Sequence, residues 1–420
     1  MRTSRRWHVA AGVIAGALMP GLMGCGNDNT TTTTAPPALS PDPLHLEIQA
    51  AVVPDFATTA RPTVTFRVTD GSGAPIDLEA ELATTATFPN LRSQGARVPT
   101  FTLAMLDDHG DYVSYYTASK AAASYTYSPD PEVIGTHTFV PPTGTWDPSN
   151  IVTPAAVTRT QATSNGIPNA LGPTLEHLGN RVYRFTFPAP TSTAGMDRTK
   201  THTVAGWVVR KPNAADSDVA FGSLNFVPSG SAAVQKLETV TDAACSKCHG
   251  FVQAHGTRRG VPLCITCHSP QTGDPETDRT VNFKVMIHKI HSGETLPTVQ
   301  QGIPYYIVGY SQGVVDWSTL TFPWHDHGVR HCTVCHDGED RDNWKTKATF
   351  TACTSCHDNV KFTAGEAAVN CPPAGSTPTT ADCMHAGGQI TVANPNDVAS
   401  CETCHGAGKS YAVDLYHHGD

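Results

Sequence analysis

Five copies of one short motif could carry chemistry in this chain. Each copy has two cysteines three positions apart and a histidine directly after the second cysteine. The copies are Cys245-Ser-Lys-Cys248-His249, Cys264-Ile-Thr-Cys267-His268, Cys332-Thr-Val-Cys335-His336, Cys353-Thr-Ser-Cys356-His357 and Cys401-Glu-Thr-Cys404-His405. Two cysteines at this spacing can form thioethers with the vinyl groups of haem, and the adjacent histidine can bind the iron from the proximal side. The pattern therefore predicts five covalently bound haem c groups.

Zinc is the alternative ligand for paired cysteines. The first two pairs are separated by 15 residues and the next two by 17, and both spacings occur in zinc ribbons. The fifth pair has no second pair, however, and a histidine follows all five pairs. At this histidine frequency, five such coincidences have a chance on the order of one in a million or lower. The haem interpretation is therefore favoured.

The first 24 residues have the pattern of a bacterial lipoprotein signal peptide. Three arginines within the first six residues precede an apolar stretch that ends in Leu-Met-Gly-Cys25, which resembles a lipobox. Lipid attached to Cys25 would anchor the mature chain to a membrane. Gly26 in place of Asp favours the outer membrane, with the chain facing the periplasm or the cell surface. An ordinary signal peptide with a chance cysteine is the alternative.

The composition changes twice along the remaining chain. Residues 25–44 are rich in threonine and proline, which predicts a flexible tether. Apolar and polar residues alternate in several runs between 45 and 235, among them Thr63–Val68, Arg181–Phe187 and His202–Val209. Turn-forming residues fill the gaps between these runs. This region is predicted to be an all-β Greek-key sandwich or split barrel.

Residues 236–420 hold every cysteine except Cys25 and have few long apolar runs. An ordinary hydrophobic core would be small here, so haem groups would have to fill the interior. We expect a pentahaem cytochrome c domain made mostly of coil and short helices. The formal net charge of −9 gives no indication of a nucleic-acid partner.

Histidines outside the five motifs could bind the iron atoms from the distal side. The C-terminal region contains nine of them: His255, His288, His291, His325, His327, His331, His385, His417 and His418. Nine candidates for five positions favour bis-histidine, low-spin iron at every site. Met286 and Met384 are alternative axial ligands, and either would raise a reduction potential.

The motifs and their surroundings resemble the OmcA/MtrC family of outer-membrane decahaem cytochromes. The matching stretches are His255-Gly256-Thr-Arg-Arg, Phe283-Lys284-Val-Met-Ile-His288-Lys-Ile-His291-Ser292-Gly293, Ala352-Cys353-Thr-Ser-Cys356-His357-Asp358, His385-Ala-Gly-Gly, Cys404-His405-Gly-Ala-Gly and Asp414-Leu-Tyr-His417. Family members alternate two β-domains with two pentahaem domains, and this chain resembles one such unit over residues 45–420. The resemblance implies five distal ligands, which are His255, His288, His291, His385 and His417. His288 and His291 would lie on one face of a short helix and bind two neighbouring haems.

Three features depart from the family pattern. His325, His327 and His331 crowd the approach to Cys332, where one of them could displace an implied ligand. His418 could replace His417 in the same way. Cys371 and Cys383 lie outside the motifs, and we expect a disulfide between them. A variant haem site built from these two cysteines and His385 is the less favoured alternative, because no histidine directly follows Cys383.

These residues favour a lipid-anchored electron conduit. The resemblance implies electron transfer to extracellular metal oxides, to flavins, or to partner cytochromes and an outer-membrane porin–cytochrome assembly. Saturated iron coordination suits outer-sphere transfer, which needs no open iron site. One alternative is a multihaem reductase of a small oxyanion with one open haem site, for which the histidines at 325–331 are the main indication. The other is a zinc-stapled surface adhesin with no redox function.

Overall fold

The computed structural model of the chain describes residues 44–83, 90–92, 99–163, 174–211, 218–230, 234–235, 237–323, 328–347, 349–358, 405–406 and 408–417. The described residues belong to one compact unit. The signal peptide, the tether up to residue 43 and the segment 359–404 lie outside the described residues. So do Cys25, His325, His327, Cys371, Cys383, Met384, His385, Cys401, Cys404 and His418. No helix within the described ranges is long and apolar enough to cross a bilayer.

Fourteen strands form between residues 44 and 226. They are β1 (Leu44–Val52), β2 (Thr63–Asp70), β3 (Asn90–Arg92), β4 (Thr100–Leu106), β5 (Tyr112–Ser114), β6 (Thr117–Ala121), β7 (Tyr125–Thr126), β8 (Thr145–Trp146), β9 (Ile151–Thr153), β10 (Thr158–Ala162), β11 (Thr174–Gly179), β12 (Val182–Thr186), β13 (His202–Lys211) and β14 (Asp218–Phe226). One sheet has the strand order β1-β2-β12-β11, and the second has the order β14-β13-β4-β5 with β3 also paired to β13. All pairings in the two sheets are antiparallel.

The core of this region lies between the two sheets. In β2, Val64, Phe66 and Val68 are buried, and the residues between them are only partly buried. Successive side chains of a strand point to opposite faces, so this alternation places every second residue of β2 in the core. Phe66 contacts Phe101 of the second sheet, with ring centroids 5.1 Å apart. The prediction of an all-β N-terminal region is confirmed, and the alternating runs identified its strands.

Short helices and small hairpins make up the described chain after residue 235. Including two helices that interrupt the strands, the helices are α1 (Leu78–Ala83), α2 (Pro131–Ile134), α3 (Asp242–His249), α4 (Val261–Cys267), α5 (Phe283–Ser292), α6 (Pro297–Gln300), α7 (Asn343–Thr346), α8 (Phe350–Cys353) and α9 (Val413–Tyr416). Single 3-10 turns span Gly293–Thr295, Tyr310–Gln312, Gly328–Arg330 and Cys332–Val334. The hairpins pair β15 (Gln253–Ala254) with β16 (Arg258–Arg259), β17 (Gly273–Asp274) with β18 (Arg279–Thr280), and β19 (Tyr306–Val308) with β20 (Val314–Asp316). Their strands of two or three residues are too short for alternation to predict.

The helix that carries the second motif packs against the second sheet. Leu263 of α4 is buried and contacts Trp207 of β13. The Thr266 and Thr102 hydroxyls are hydrogen-bonded at 2.7 Å, and the Ser114 hydroxyl donates to the Thr266 carbonyl at 2.6 Å. These buried contacts fix the position of the second motif relative to the β-sheet region.

A buried pair of carboxyl groups lies in the β17–β18 hairpin. Asp274 and Glu276 are both buried, and the Glu276 amide donates a hydrogen bond to the Asp274 carboxyl group at 3.0 Å. Asp274 also accepts hydrogen bonds from the Thr277 hydroxyl at 2.6 Å and from the Val308 amide at 2.9 Å. Glu276 lies 3.4 Å from the Lys120 ammonium group. Burial, with the neighbouring Glu276 carboxyl group, raises the pKa of Asp274 to about 6.

We predict that Asp274 makes the free energy of unfolding fall as the pH rises from 4 to 7. The pKa of Asp274 is raised in the folded state, so the stabilising contribution is complete below about pH 4 and is lost as the pH passes through about 6. The loss should amount to about 2–3 kcal/mol. Denaturant unfolding of wild type and D274N at pH 4.5 and 7.5 measures it, because asparagine cannot ionise. The same change at the exposed Asp108 is the control, and an unchanged pH dependence in D274N would contradict the prediction.

Candidate functional site: paired histidines beside the cysteine motifs

Helical turns present the ligands of the described motifs. The His268 amide donates to the Cys264 carbonyl at 2.8 Å, and the His336 amide donates to the Cys332 carbonyl at 2.9 Å. The amide of His357 makes the same bond in the fourth motif. Residues three and four positions apart lie on one face of such a turn. Both thiols and the imidazole of a motif are therefore presented on one side, as attachment of a single haem requires.

The structure brings four motif histidines next to four histidines from other parts of the chain. The pairs, with the distances between their ring centroids, are His249 and His291 at 6.1 Å, His255 and His268 at 5.8 Å, His288 and His336 at 6.1 Å, and His357 and His417 at 6.3 Å. The histidine from outside the motif in each pair is one of those that the family resemblance implies as distal ligands. The fifth motif histidine, His405, lies beside Tyr411, and its expected partner His385 is outside the described residues.

These distances match two imidazoles bound on opposite sides of one iron atom. A metal-bound imidazole nitrogen lies about 2.0 Å from the metal and about 1.2 Å from the centre of its own ring. Two imidazoles that bind opposite sides of one metal ion would therefore have ring centroids about 6.4 Å apart. Rings in direct stacking contact would be closer together. The four pairs of imidazoles, at these distances between ring centroids, thus fit the axial ligands of a haem.

Hydrogen bonds from the other ring nitrogen orient several of these histidines. The Nδ1 atoms of His268 and His291 lie 2.8 and 2.9 Å from the carbonyl oxygens of Val281 and Ile287. Nδ1 of His405 lies 2.8 Å from the Tyr411 carbonyl, and His417 has a similar bond. A carbonyl can only accept, so Nδ1 carries the proton and Nε2 keeps its lone pair for a metal.

Helix α5 supplies two of the paired histidines. His288 and His291 are three residues apart, so both project from one face and reach different motif histidines. On the opposite side, Met286 and Ile290 pack on the apolar cluster of Leu296, Val299, Tyr305 and Ile307. Met286 therefore lies among apolar side chains. The short helix predicted to carry both histidines is present over Phe283–Ser292.

Burial shifts the pKa values of several histidines and cysteines at the site. It lowers the pKa of His255 to about 4 and, with the neighbouring His336, lowers that of His288 to about 4. Both rings are consequently neutral at neutral pH. Burial raises the pKa of the Cys264 thiol to about 12 and that of the Cys332 thiol, also near Cys356, to about 12. These cysteines are therefore neutral thiols before they react.

Zinc fits the described geometry less well. A structural zinc ion needs four ligands in a tetrahedral arrangement. In the part of the chain that the structure describes, no three His, Cys, Asp or Glu side chains converge to hold a metal ion. The recurring arrangement is instead two imidazoles facing each other beside a cysteine pair.

Of the three extra histidines before Cys332, His331 lies in the described part. Its ring nitrogen is 3.3 Å from the Thr333 hydroxyl, within the turn that leads into the third motif. The imidazole facing His336 belongs to His288. Sequence reasoning did not identify two further polar residues at the site, Lys289 and Asp358, which form a buried ion pair at 2.6 Å. Asp358 follows His357 directly, and this is the signal that could have drawn attention to it.

Comparison with known proteins supports these observations. Residues 237–418 match the family described as outer membrane cytochrome MtrC/MtrF-like, domains II/IV. Curated proteins give no match. The chain is similar to the crystal structure of the outer membrane decaheme cytochrome OmcA, with 19% identity and a TM-score of 0.59, over 90% of this chain and 48% of that chain. It also matches the crystal structure of MtrC from Shewanella baltica OS185, with 15% identity and a TM-score of 0.47, over 89% of this chain and 44% of that chain.

The chain thus spans about half the length of the OmcA and MtrC chains that it matches. The match to OmcA shows that the two proteins share a fold. Together with the family match over the motif-bearing region, it agrees with a β-sheet region followed by a cytochrome domain.

Proposed function

We propose that the chain belongs, through residues 237–418, to the OmcA/MtrC family of outer-membrane multihaem cytochromes and that it conducts electrons through five covalently bound haems. The observation that carries this proposal is the set of four imidazole pairs, each joining a motif histidine to a distant histidine at the spacing of two axial ligands. Bound haem would supply one-electron chemistry at an iron that changes between its ferric and ferrous states.

The proposed residues divide into three roles. The ten motif cysteines attach the haems: Cys245, Cys248, Cys264, Cys267, Cys332, Cys335, Cys353, Cys356, Cys401 and Cys404. The motif histidines bind iron from the proximal side: His249, His268, His336, His357 and His405. The distal ligands are His291, His255, His288, His417 and His385, in the order of those proximal partners. For the fifth pair the support is the motif alone, because His385, Cys401 and Cys404 lie outside the described residues.

Contacts between motifs support an order of the haem sites from the second motif to the first and then to the third. Asp242, at the start of α3, accepts a hydrogen bond from the Val261 amide at the start of α4 at 2.7 Å, which joins the first two motifs. Lys247, inside the first motif, donates to the Val334 carbonyl inside the third at 3.1 Å. Helix α5 also joins these two, because it supplies a distal histidine to each.

The third motif leads in turn to the fourth and fifth. Burial and the nearby Cys356 thiol raise the pKa of the Cys332 thiol, so the third and fourth motifs lie close to each other. His417, which faces His357 of the fourth motif, follows α9 in the C-terminal segment that also contains His405. The proposed order is therefore second, first, third, fourth and fifth motif, a continuous path that starts at the β-sheet region.

Electrons would leave the chain by outer-sphere transfer. A second imidazole faces four of the five motif histidines in the described part of the chain, so both axial positions would be occupied at these four sites. Saturated iron favours transfer to acceptors that touch the haem edge over reactions that need an open iron site. We propose extracellular metal oxides, flavins and partner cytochromes, including a porin–cytochrome assembly, as the acceptors and partners.

Lipid attachment at Cys25 and a disulfide between Cys371 and Cys383 complete the proposal. Their support is the sequence: a lipobox-like stretch before Cys25, and two cysteines left over from the five motifs. As an outer-membrane lipoprotein facing the cell surface, the chain would bring the haem sites to acceptors that do not enter the cell. Facing the periplasm, it would pass electrons to partner cytochromes.

The test combines haem content with electron delivery. Purified protein should contain five haems per chain, by haem assay and intact mass. Once fully reduced, it should be reoxidised by a ferric chelate and by oxidised flavin in stopped-flow experiments, and it should leave nitrite and sulfite unchanged. Turnover of nitrite or sulfite would support the reductase alternative instead. A colourless, zinc-containing protein would refute electron conduction altogether.

A further inference from the structure

A buried ion pair joins helix α5 to the fourth motif. The Lys289 ammonium group lies 2.6 Å from the Asp358 carboxylate. One turn further along α5, the Ser292 hydroxyl lies 3.3 Å from the Cys356 sulfur. The helix that supplies two distal histidines is thus attached to the segment that carries Cys356 and His357.

The pair is well enclosed and fully hydrogen-bonded on its acidic side. The side chains of Lys289 and Asp358 are 19% and 6% exposed. Asp358 also accepts hydrogen bonds from the Thr298 amide at 3.0 Å and from its hydroxyl at 2.6 Å. Lys289 lies over the Tyr305 ring, 5.5 Å from its centroid. The desolvation of two buried charges offsets much of the attraction between them, so stability alone does not explain the presence of this pair.

Both charged residues are next to proposed iron ligands in the sequence. Lys289 stands between His288 and His291, which face the third and first motifs, and Asp358 directly follows His357 of the fourth. A nearby positive charge favours the reduced iron, and a negative charge favours the oxidised iron. The effect is strong where little water screens the charge.

We propose that Lys289 and Asp358 form a charge-compensating pair, in which each charge offsets the effect of the other on the reduction potentials of the iron sites at the first, third and fourth motifs. The inference rests on the proposed function, since it requires haem at these sites. With both charges present, their effects on the neighbouring irons largely cancel. The pair thereby anchors α5 to the fourth motif without shifting the potentials of the neighbouring sites.

Removing one charge at a time tests this role. K289M leaves the carboxylate uncompensated and should lower the potentials of the nearest haems, whereas D358N leaves the ammonium group and should raise them. Each change should alter the reduction equilibrium constant of the most affected haem about tenfold, which is about 59 mV for a one-electron couple. Spectroelectrochemical titration of the purified holoprotein measures both shifts.

Further variants separate charge from packing. The double variant K289M/D358N should return the titration curve to that of wild type, although its free energy of unfolding falls. K200M and D108N make the same charge changes in the ion pair of Lys200 and Asp108 in the β-sheet region, 2.7 Å apart, and should leave the curve unchanged. Shifts in the same direction for K289M and D358N, or no shift in either, would overturn the proposal.

Each single variant decides the question by itself if the other does not fold. A fall in potential for K289M, or a rise for D358N, supports the compensation, and the reverse sign or no change contradicts it. Haem content and low-spin spectra are recorded on the same samples. Wild-type protein without five low-spin haems would refute the proposed function. Five such haems whose reduction potentials shift in the same direction in K289M and D358N would refute only the role of this ion pair.

Discussion

Replacing His288 with alanine should convert one of five haems from low spin to high spin. His288 is the imidazole that faces His336, so its removal leaves the iron of the third motif with one axial histidine. About one-fifth of the haem should then show high-spin absorption and EPR signals, and it should bind added imidazole. Haem attachment itself should continue, because the third-motif cysteines are intact.

His331 provides the matched control for this prediction. It lies directly before the third motif, and its ring is near the Thr333 hydroxyl. H331A should keep every haem low-spin. A high-spin signal in H331A, with none in H288A, would show that the distal ligand of the third motif is wrongly assigned.

Removing the haem of the third motif should divide the conduction path. In the proposed order this site lies between the first and fourth motifs, as the contact of Lys247 with the Val334 carbonyl and the anchoring of α5 to Cys356 indicate. C332A/C335A should carry four haems per chain. In fast-scan voltammetry of adsorbed protein these should separate into two groups, one of which exchanges electrons with the electrode much more slowly.

Two cysteine variants provide the controls. C264A/C267A also removes one haem but at the end of the proposed path, so its four remaining haems should respond as one group. C371A/C383A should retain five haems, because these cysteines belong to the proposed disulfide. Equal behaviour of C332A/C335A and C264A/C267A would contradict the proposed order, and loss of a haem from C371A/C383A would support the variant haem site.

The sequence predicted the features that local pattern determines. Alternating runs located β2, β12 and β13, because one face of each of these strands packs in a core. The five cysteine motifs were visible for a similar reason, since attachment of one haem needs three side chains within a single helical turn. The helix that carries His288 and His291 was also predicted, from its resemblance to the family and the spacing of its two histidines.

Features that depend on tertiary packing could not be predicted in this way. Which motif histidine each distal histidine faces depends on how α5 lies across the first and third motifs. The same holds for Lys289 and Asp358, which are 69 positions apart in sequence yet 2.6 Å apart in the structure. The packing of Leu263 on Trp207 joins the motif-bearing region to the β-sheet region, and the difference in composition between the two regions gives no sign of this contact.

The most direct test of the account is the axial ligation of iron in the oxidised holoprotein. EPR combined with near-infrared magnetic circular dichroism, normalised to haem per chain, reports the spin state and the ligand types of all sites together. We predict five low-spin haems, each with two histidine ligands. A high-spin haem or a histidine–methionine haem in the wild-type protein would contradict the ligand pairs, and a high-spin site would direct attention to the histidines at 325–331 and to catalysis at an open iron.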